Sequence, residues 1–432
     1  MAGFKLVMYK LARKKNNWPQ VFFILYASLT AFIVYSCMYG VRKPYTVSTY
    51  EGLEQFGFSY KAVLVSSQVF GYMLSKFIGI RFIAEVKSHN RPWFIIGLIL
   101  LGWVALFFFA IVPFQYKFIF LFINGLPLGM IWGLVFGYLE GRRVTDILGA
   151  VLATSFIVSS GIAKTVGQYF LVKLSVDQWW MPFLVASVFL IPLFICTFFL
   201  SKVPPPDYED CLQRTPRTPM YGKARVKFLK EYALFLVAPI LSYMLLTALR
   251  DFSEDFIVEL WNETGNSGQY LLFIQTSTIS GFIVLFVVAG IVLLQNHFKA
   301  FSIIHLLVGM GFLGLIVSTI LFQQGRVDAV TWMVIATTAL YLGYVACNSF
   351  FYERFVAAFQ IKGNVGFLMY ISDAFGYLGT VFVLLLKEYF NFYTNWVQFF
   401  STAFLSVGFF GIFFISVSLY LFSTKYKKVN YA

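Results

Sequence analysis

Two short stretches decide the fold: YGVRKPY at residues 39–45 and LTALRDFSEDF at residues 246–256. Each places an arginine near the end of a long apolar segment, and these two residues, Arg42 and Arg250, lie 208 positions apart in a chain of 432 residues. A parallel repeat of six membrane spans followed by six more would place equivalent residues at such an offset. Because a cation at bilayer depth is costly and is kept mainly where it faces a polar cavity, the pair predicts a central site for an anion.

The composition indicates a polytopic membrane protein. Hydrophobic residues make up 59% of the chain, charged residues make up 12%, and the mean hydropathy is +0.77, which excludes a soluble globular protein. An apolar stretch of about 20 residues is long enough to cross a bilayer as a helix. The sequence predicts an all-α protein with twelve such spans, beginning near Val21, Val63, Trp93, Phe118, Leu148, Met181, Ala233, Tyr270, Phe301, Val330, Phe367 and Trp396.

The distribution of lysine and arginine predicts the orientation. The first eighteen residues contain five basic residues and no acid, and residues 201–230 contain seven basic residues and three acids. Residues 251–263 instead contain five acids and no base. Since cytoplasmic loops are enriched in lysine and arginine, we expect both termini and residues 201–230 in the cytoplasm and residues 251–263 on the opposite side. The net charge of +14 follows from this topology and does not indicate nucleic-acid binding.

The same pattern predicts the domain organisation. Residues 1–200 form an N-terminal six-helix bundle, residues 201–230 a cytoplasmic linker, and residues 231–432 a C-terminal six-helix bundle in the cytoplasmic (inner) membrane. A second repeated element supports the duplication: Glu140 precedes Gly149 in YLEGRRVTDILGA, and Glu353 precedes Gly363 in FYERFVAAFQIKGNVG. These two elements are 213 and 214 residues apart, close to the offset of the arginines.

Several motifs resemble a known transporter family. YGVRKPY from Tyr39, GFSYK from Gly57 and GYMLSKFIG from Gly71 are similar, in order and spacing, to the first two helices of the organophosphate:phosphate antiporters of the major facilitator superfamily. LRDFSEDF from Leu249 and FGYLG from Phe375 resemble the helix-seven and helix-eleven segments of that family. The resemblance implies two six-helix bundles around an anion site.

The chain also departs from that family at two places. The phosphate transporters have a histidine in helix five where this chain has Phe156, and Glu85 stands after Gly79 where an aspartate is usual. The resemblance therefore supports the fold and an anionic site more strongly than phosphate exchange.

Arg42 and Arg250 are the strongest candidates for binding a substrate. A guanidinium stays protonated and offers a planar set of donors that suits a phosphate or a carboxylate, so two of them facing one cavity could hold a dianion. The alternatives are an interfacial position or a structural ion pair with one of three acids: Asp251, Asp255 or Asp373.

Five further residues are candidate substrate contacts. Lys76 lies in the middle of its span and is expected to add a third positive charge to the cavity. Lys164 follows the same logic, with an ion pair as the equal alternative. Lys43 is turned away from Arg42 by about 100° and is expected at the outer mouth. Tyr39 and Tyr45 flank Arg42 and could donate hydroxyl hydrogen bonds, or could be interfacial aromatic residues.

The acids are candidates for coupling or gating. Asp373 is the clearest isolated acid within a span, and it could alternate between paired and protonated states or form a permanent ion pair. Asp373 and Glu140 are also the alternative partners for Lys76. Glu140 and Glu353 are predicted at cytoplasmic helix ends, in gating or structural interactions. Three more acids surround the second arginine: Asp251, Glu254 and Asp255.

The motifs of other functions are missing from the sequence. It contains no G-x-x-x-x-G-K-[ST] phosphate loop, no H-E-x-x-H zinc motif and no nucleophile motif, so we expect no enzyme activity, cofactor or metal. The sequence predicts a monomeric secondary transporter whose partners are a small organic anion and the lipid bilayer, working by exchange or proton symport. The alternative is a transport-inactive sensor of the same fold that signals through a partner.

Overall fold

The structure, a computed structural model, describes residues 19–207, 210, 222–292, 294, 296–359, 365–390 and 395–430. The predicted cytoplasmic N-terminus and residues 211–221 of the predicted linker lie outside these residues. The helices are α1 Gln20–Arg42, α2 Tyr60–Glu85, α3 Arg91–Ile111, α4 Lys117–Leu128, α5 Ile131–Phe136, α6 Thr145–Val172, α7 Met181–Ser201, α8 Gly222–Asp255, α9 Ile257–Glu263, α10 Leu271–Val292, α11 His297–Gln323, α12 Ala329–Ala346, α13 Tyr352–Ala358, α14 Val365–Phe390 and α15 Trp396–Asn430.

Eleven helical ranges in the described part are long and apolar enough to cross a membrane. They begin within a few residues of the predicted positions. The eleventh predicted span corresponds to α14, a further helix of 26 residues, and the count of twelve spans stays a prediction. Helices dominate because every backbone N–H and C=O must be satisfied within the segment once water is excluded.

Two of the spans are interrupted. The fourth contains Pro127, whose missing N–H breaks the hydrogen-bond ladder, and it continues as α5 after a short turn. The tenth contains a π-helical segment, Cys347–Phe351, between α12 and α13. Such a segment shifts the residues that follow it around the helix axis and often marks a functional position.

A small β-hairpin follows the first span. Strand β1 Glu54–Gln55 pairs antiparallel with strand β2 Phe58–Ser59. Gly57 takes a positive φ of 78° in the connecting turn, a conformation that glycine adopts without the cost paid by other residues. The hairpin leads directly into α2.

The two predicted bundles meet along two pairs of helices. Helix α6 packs along α10, and α2 packs along α14. At Gly161 of α6, a Cβ atom would lie 1.8 Å from the Ser277 hydroxyl oxygen and 2.6 Å from the Phe273 carbonyl oxygen of α10. Helices α6 and α10 therefore approach each other closely at this glycine, as small residues between membrane helices allow.

Burial differs strongly among the spans. In the fifth span 67% of the most apolar stretch is buried, whereas in the last span only 28% is buried. The fifth span thus lies at the centre of the molecule, and the last presents most of its surface outward to lipid.

Candidate functional site

The end of α1 is held inside the protein by side chains of α2 and α4. Helix α1 stops at Arg42, close to Pro44, which cannot donate a backbone hydrogen bond. Gln68 donates to the Arg42 carbonyl at 2.9 Å, and Asn124 donates to the Val41 carbonyl at 3.3 Å. Because the last carbonyls of a helix have no partner within the helix, these two amides satisfy them and fix the position of Arg42.

Arg42 is a buried cation without a close carboxylate. The residue is 2% exposed, and its guanidinium carbon lies 3.9 Å from the centroid of the Tyr72 ring. Its Nε–H has no acceptor, and within the described residues it forms no ion pair closer than 4.0 Å. The Tyr72 ring supplies a cation–π contact, which does not neutralise the charge.

Arg250 occupies the matching place in α8 but is neutralised by its neighbour. Its Nη2 donates to Asp251 at 2.6 Å and its Nε donates to the same carboxylate oxygen at 3.2 Å. The second oxygen of Asp251 accepts from Thr380 at 3.3 Å. The guanidinium lies 3.9 Å from the centroid of the Tyr344 ring. Arg250 thus repeats the contact of Arg42 with a tyrosine ring while carrying its own counter-ion.

Tyrosine side chains from both halves lie around the two guanidinium groups. Tyr72 meets Tyr377 edge to face with ring centroids 5.0 Å apart, and Tyr344 stacks on Tyr243 at 5.3 Å. Tyr39 is 5% exposed and lies within electrostatic range of both arginines. These rings form an apolar wall that carries hydroxyl groups suited to a polar ligand.

The sequence analysis missed most of these tyrosines, although one signal pointed to them. Tyr72 lies four residues before Lys76, and Tyr344 lies four residues before Asn348. Residues four apart share one face of a helix, so the face that carries a polar residue within a span also carries the tyrosine. The sequence contains 26 tyrosines, so the spacing of these two from a polar residue does not stand out.

Lys76 and Asp373 join α2 to α14. The Lys76 ammonium lies 3.2 Å from one carboxylate oxygen of Asp373. The other oxygen accepts from the Tyr243 hydroxyl at 2.6 Å and from Asn348 of the π-helical segment at 3.5 Å. The sequence left open whether Lys76 faces the cavity as a third positive charge or pairs with Glu140 or Asp373. In the structure Lys76 pairs with Asp373.

Further ion pairs connect the two halves near the end of α1. Lys43 is 2% exposed and bonds to Asp255, with Glu254 at 3.6 Å. Lys164 lies 3.9 Å from Glu254, which also accepts from the Ser160 hydroxyl at 2.7 Å. Lys43 therefore lies within a closed interface between the halves, and its expected place at the outer mouth stays a prediction.

A pair that the sequence analysis did not identify lies beside these residues. Lys61 of α2 donates to Glu259 of α9 at 2.5 Å. Burial raises the pKa of Glu259 above its usual value, against the opposing effects of Lys61 and the more distant Lys387. The ionised form of this buried carboxylate is thus only partly compensated by its partner.

The remaining predicted residues lie away from the arginines or serve them indirectly. The Tyr45 hydroxyl donates to Gln68 at 3.2 Å, so Tyr45 supports the amide that holds α1. Glu140 follows α5 and Glu353 lies on α13, and the structure does not bring either of them to the arginines. Within the described residues, no three His, Cys, Asp or Glu side chains are grouped to hold a metal ion.

A small cavity lies between the halves beside Arg250. It is lined in part by Lys164, Arg250 and Glu254 and has a volume of about 50 Å³. Pockets for organic ligands are larger, about 300–1,000 Å³, so this cavity has room for water but not for such a ligand.

Comparison with known proteins places the chain in a family. A family model described as "Family of unknown function (DUF5690)" matches residues 44–425. The chain belongs to this family. The match begins two residues after Arg42 and extends through both halves; the first span, α1 Gln20–Arg42, lies before it. A search of curated proteins finds no match.

Solved structures similar to this DUF5690 chain are transporters. The D-xylose–proton symporter matches with a TM-score of 0.62 at 14% identity, covering 93% of this chain and 97% of that one. A mutant of the nucleoside transporter NupG matches with a TM-score of 0.59 at 14% identity, over 93% and 100% of the two chains. A bacterial homolog of the human lysosomal transporter Spinster, inward-facing and unoccupied, matches with a TM-score of 0.58 at 13% identity, over 94% and 96%.

These matches establish the fold. The DUF5690 chain is an all-α membrane protein with the major facilitator fold, which confirms the predicted fold class. The closer resemblance to the organophosphate:phosphate antiporters stays a prediction.

Proposed function

We propose that this DUF5690 protein is a secondary transporter that carries a small organic anion across the membrane by alternating access. The observation that carries the proposal is the state of Arg42, which is buried and charged and has no ion-pair partner within the described residues. Asp251 acts on Arg42 only from beyond ion-pair distance. A buried charge without a close partner is costly, and an incoming anion would lower that cost. Such a residue within a membrane span is by default part of a substrate or ion pathway.

The contrast with neighbouring cations supports an anionic substrate. Five other buried cations near the interface of the halves each have a carboxylate within ion-pair distance: Lys43 with Asp255, Lys61 with Glu259, Lys76 with Asp373, Lys164 with Glu254, and Arg250 with Asp251. Arg42 alone in this group lacks one. A bound anion would give it the partner that the protein provides for the others.

The chemistry of the surrounding groups defines the class of substrate. A guanidinium binds phosphate or carboxylate through two parallel hydrogen bonds, and Tyr39 lies within electrostatic range of Arg42. We therefore expect a phosphorylated or carboxylated metabolite. D-xylose, named for one structural neighbour, carries no charge, so Arg42 sets this site apart from a sugar site.

The ion pairs between the halves support alternating access. The cations of these pairs come from residues 1–200 and the acids from residues 231–432, with the exception of Arg250 and Asp251, which share α8. We propose these two ranges as rigid bundles joined by the linker 201–230. The structure is closed where Lys43 and Lys61 meet their acids, and these pairs must separate when that side opens.

A ligand-stabilisation screen tests the proposal. The purified protein would be heated with pairs of compounds that differ only in a phosphate or carboxylate, such as glycerol 3-phosphate and glycerol. A ligand that binds the native state raises its apparent stability. We expect stabilisation by at least one anion, none by its neutral counterpart, and loss of the effect in Arg42→Gln. Equal stabilisation of wild type and variant by all effective anions would refute the role of Arg42.

A further inference from the structure

A second cavity lies at the opposite end of α1 from Arg42. It has a volume of about 910 Å³, and it is formed by the start of α3, the residues after α5, the end of α7 and Pro204–Pro206. Its wall includes Arg142, which lies 4.7 Å from the Phe23 ring at the start of α1. Phe23 and Arg42 are nineteen residues apart, roughly 28 Å along a helix. This cavity is therefore separate from the site at Arg42.

The polar wall of the cavity is positively charged. Arg91 and Arg142 line it together with His89, and its described lining contains no carboxylate. Arg142 is held by the Tyr138 carbonyl, at 3.2 and 3.1 Å, and by the Pro204 carbonyl. Burial lowers the pKa of Arg142 to about 10, against the opposing effect of Asp210 and Asp207, which do not line the cavity. The side chain is therefore still a cation at neutral pH.

Two buried hydroxyl groups in the wall have no hydrogen-bond partner within the described residues. They are the Tyr138 hydroxyl and the Thr197 hydroxyl, on residues that are 7% and 1% exposed. Burial raises the pKa of Tyr138 to about 12, so its hydroxyl keeps its proton and can donate. Leaving buried polar groups unpaired is unfavourable, and both residues line the cavity beside the cations.

The other wall of the cavity is apolar and exposed. Trp93 is 74% exposed and Phe198 is 58% exposed, and both line the cavity. Loop charge predicts that this end is cytoplasmic, where the leaflet carries anionic lipid and where basic pockets between helices bind lipid headgroups. An occupant with a phosphate at one end and an acyl chain at the other matches both walls.

We propose that this cavity binds an anionic phospholipid, with its phosphate against Arg91 and the Tyr138 hydroxyl and its acyl chain along Phe198. Arg142 adds to the positive field and connects the bound phosphate to Pro204 at the start of the linker. The bound lipid then holds the linker against the N-terminal half. The volume of the cavity lies within the range of about 300–1,000 Å³ that is typical of ligand sites.

Thermal unfolding in lipid vesicles tests this proposal. The full chain would be reconstituted in phosphatidylcholine vesicles with increasing fractions of phosphatidylglycerol, and its melting temperature measured. Ligand binding to the native state predicts a rise that saturates. Tyr138→Phe removes a hydroxyl without a partner, so it should leave stability in pure phosphatidylcholine unchanged. It should also raise the phosphatidylglycerol fraction needed for half of the effect by about tenfold, the loss of ~1.4 kcal/mol of binding free energy.

Two further variants and one further ligand complete the design. Arg91→Gln should shift the titration in the same direction as Tyr138→Phe. Lys87→Gln removes a charge from an exposed residue on the same side that does not line the cavity, and it should titrate like wild type. Three results would overturn the proposal. The first is a saturable rise that is the same in wild type and in both cavity variants, and the second is no rise at all. The third is an equal rise with inorganic phosphate in phosphatidylcholine vesicles.

Discussion

At the scale of single residues, the two arginines have equivalent positions and different charge environments. The sequence contains this difference: Arg250 is followed by Asp251, whereas Arg42 is followed by Lys43. In the structure Asp251 bonds to Arg250, and Lys43 turns to Asp255 in the other half. Of these two arginines, Arg42 alone has no carboxylate within ion-pair distance among the described residues.

This difference predicts opposite effects of one substitution on stability. Arg42→Met removes an unpaired buried charge, so the unliganded protein should be as stable as wild type or more stable. Arg250→Met leaves Asp251 buried without its guanidinium partner, which should lower the free energy of unfolding by ~3–5 kcal/mol. Thermal and denaturant unfolding in detergent measure both effects. A loss of stability in Arg42→Met as large as in Arg250→Met would mean that Arg42 is a structural residue.

The sequence could predict the cations of the site but not all of their partners. Arg42, Lys76 and Arg250 are recognisable because charge within an apolar span is rare. Which acid each one meets depends on helix rotation and on contacts between distant segments, so ion pairs with Asp251, Asp255 and Asp373 were all open. Glu259 is only one of five acids in residues 251–263, and nothing local connects it to Lys61.

At the scale of helices, the connection between α2 and α14 combines an ion pair with a local irregularity. Asn348 belongs to the π-helical segment of the tenth span and lies 3.5 Å from Asp373. The apolar pattern predicts the span but gives no sign of the π-helical turn, because one extra residue in a turn hardly changes the hydropathy. The contact of Asn348 with Asp373 was therefore not predictable, whereas the pairing of Lys76 with Asp373 was one stated alternative.

The Lys76–Asp373 pair leads to a double-variant prediction. Asp373→Asn removes the carboxylate charge that pairs with the buried Lys76 ammonium, so it should lower the free energy of unfolding by ~3–5 kcal/mol. Lys76→Gln combined with Asp373→Asn removes both charges and should restore most of the loss. Unfolding of the two single variants and the double variant gives the coupling energy.

The same variant separates a static pair from proton coupling. If Asp373 takes up a proton during transport, Asp373→Asn should keep normal stability and flatten the dependence of uptake on external pH. We expect the stability loss, since Asp373 already accepts from Lys76 and Tyr243. Normal stability together with an unchanged pH profile would contradict both roles.

At the scale of the whole molecule, charge is divided between the halves where they close. Lys43, Lys61 and Lys76 come from the first half, and their acids come from the second. This division lets the halves attract each other on one side and still separate, because the pairs are few and their charges can be hydrated once exposed. The linear order of charge predicted the two sides of the membrane, but not which side is closed.

Closure on this side should depend on pH through Glu259. Burial raises the pKa of Glu259 in the closed structure, so the closed state holds a proton to higher pH than a state in which this carboxylate is exposed. Stability of the closed state should therefore increase as pH falls through the raised pKa and decrease as pH rises through it.

Glu259→Gln should remove this part of the pH dependence of stability. Thermal unfolding between about pH 4 and pH 8 measures it, with Glu51→Gln, an exposed acid, as the control. Identical pH profiles for wild type and Glu259→Gln would contradict the effect.

Uptake into proteoliposomes tests the central claim, that this DUF5690 chain moves an organic anion bound at Arg42. The anion that stabilises the protein in the screen would be supplied in labelled form outside vesicles preloaded with the same unlabelled anion. We expect saturable uptake by wild type, weaker uptake by Arg42→Lys because the ammonium lacks the planar pair of donors, and none by Arg42→Ala. The account would be contradicted if Arg42→Ala took up the anion as fast as the wild type does. It would also be contradicted if the wild type bound the anion without moving it.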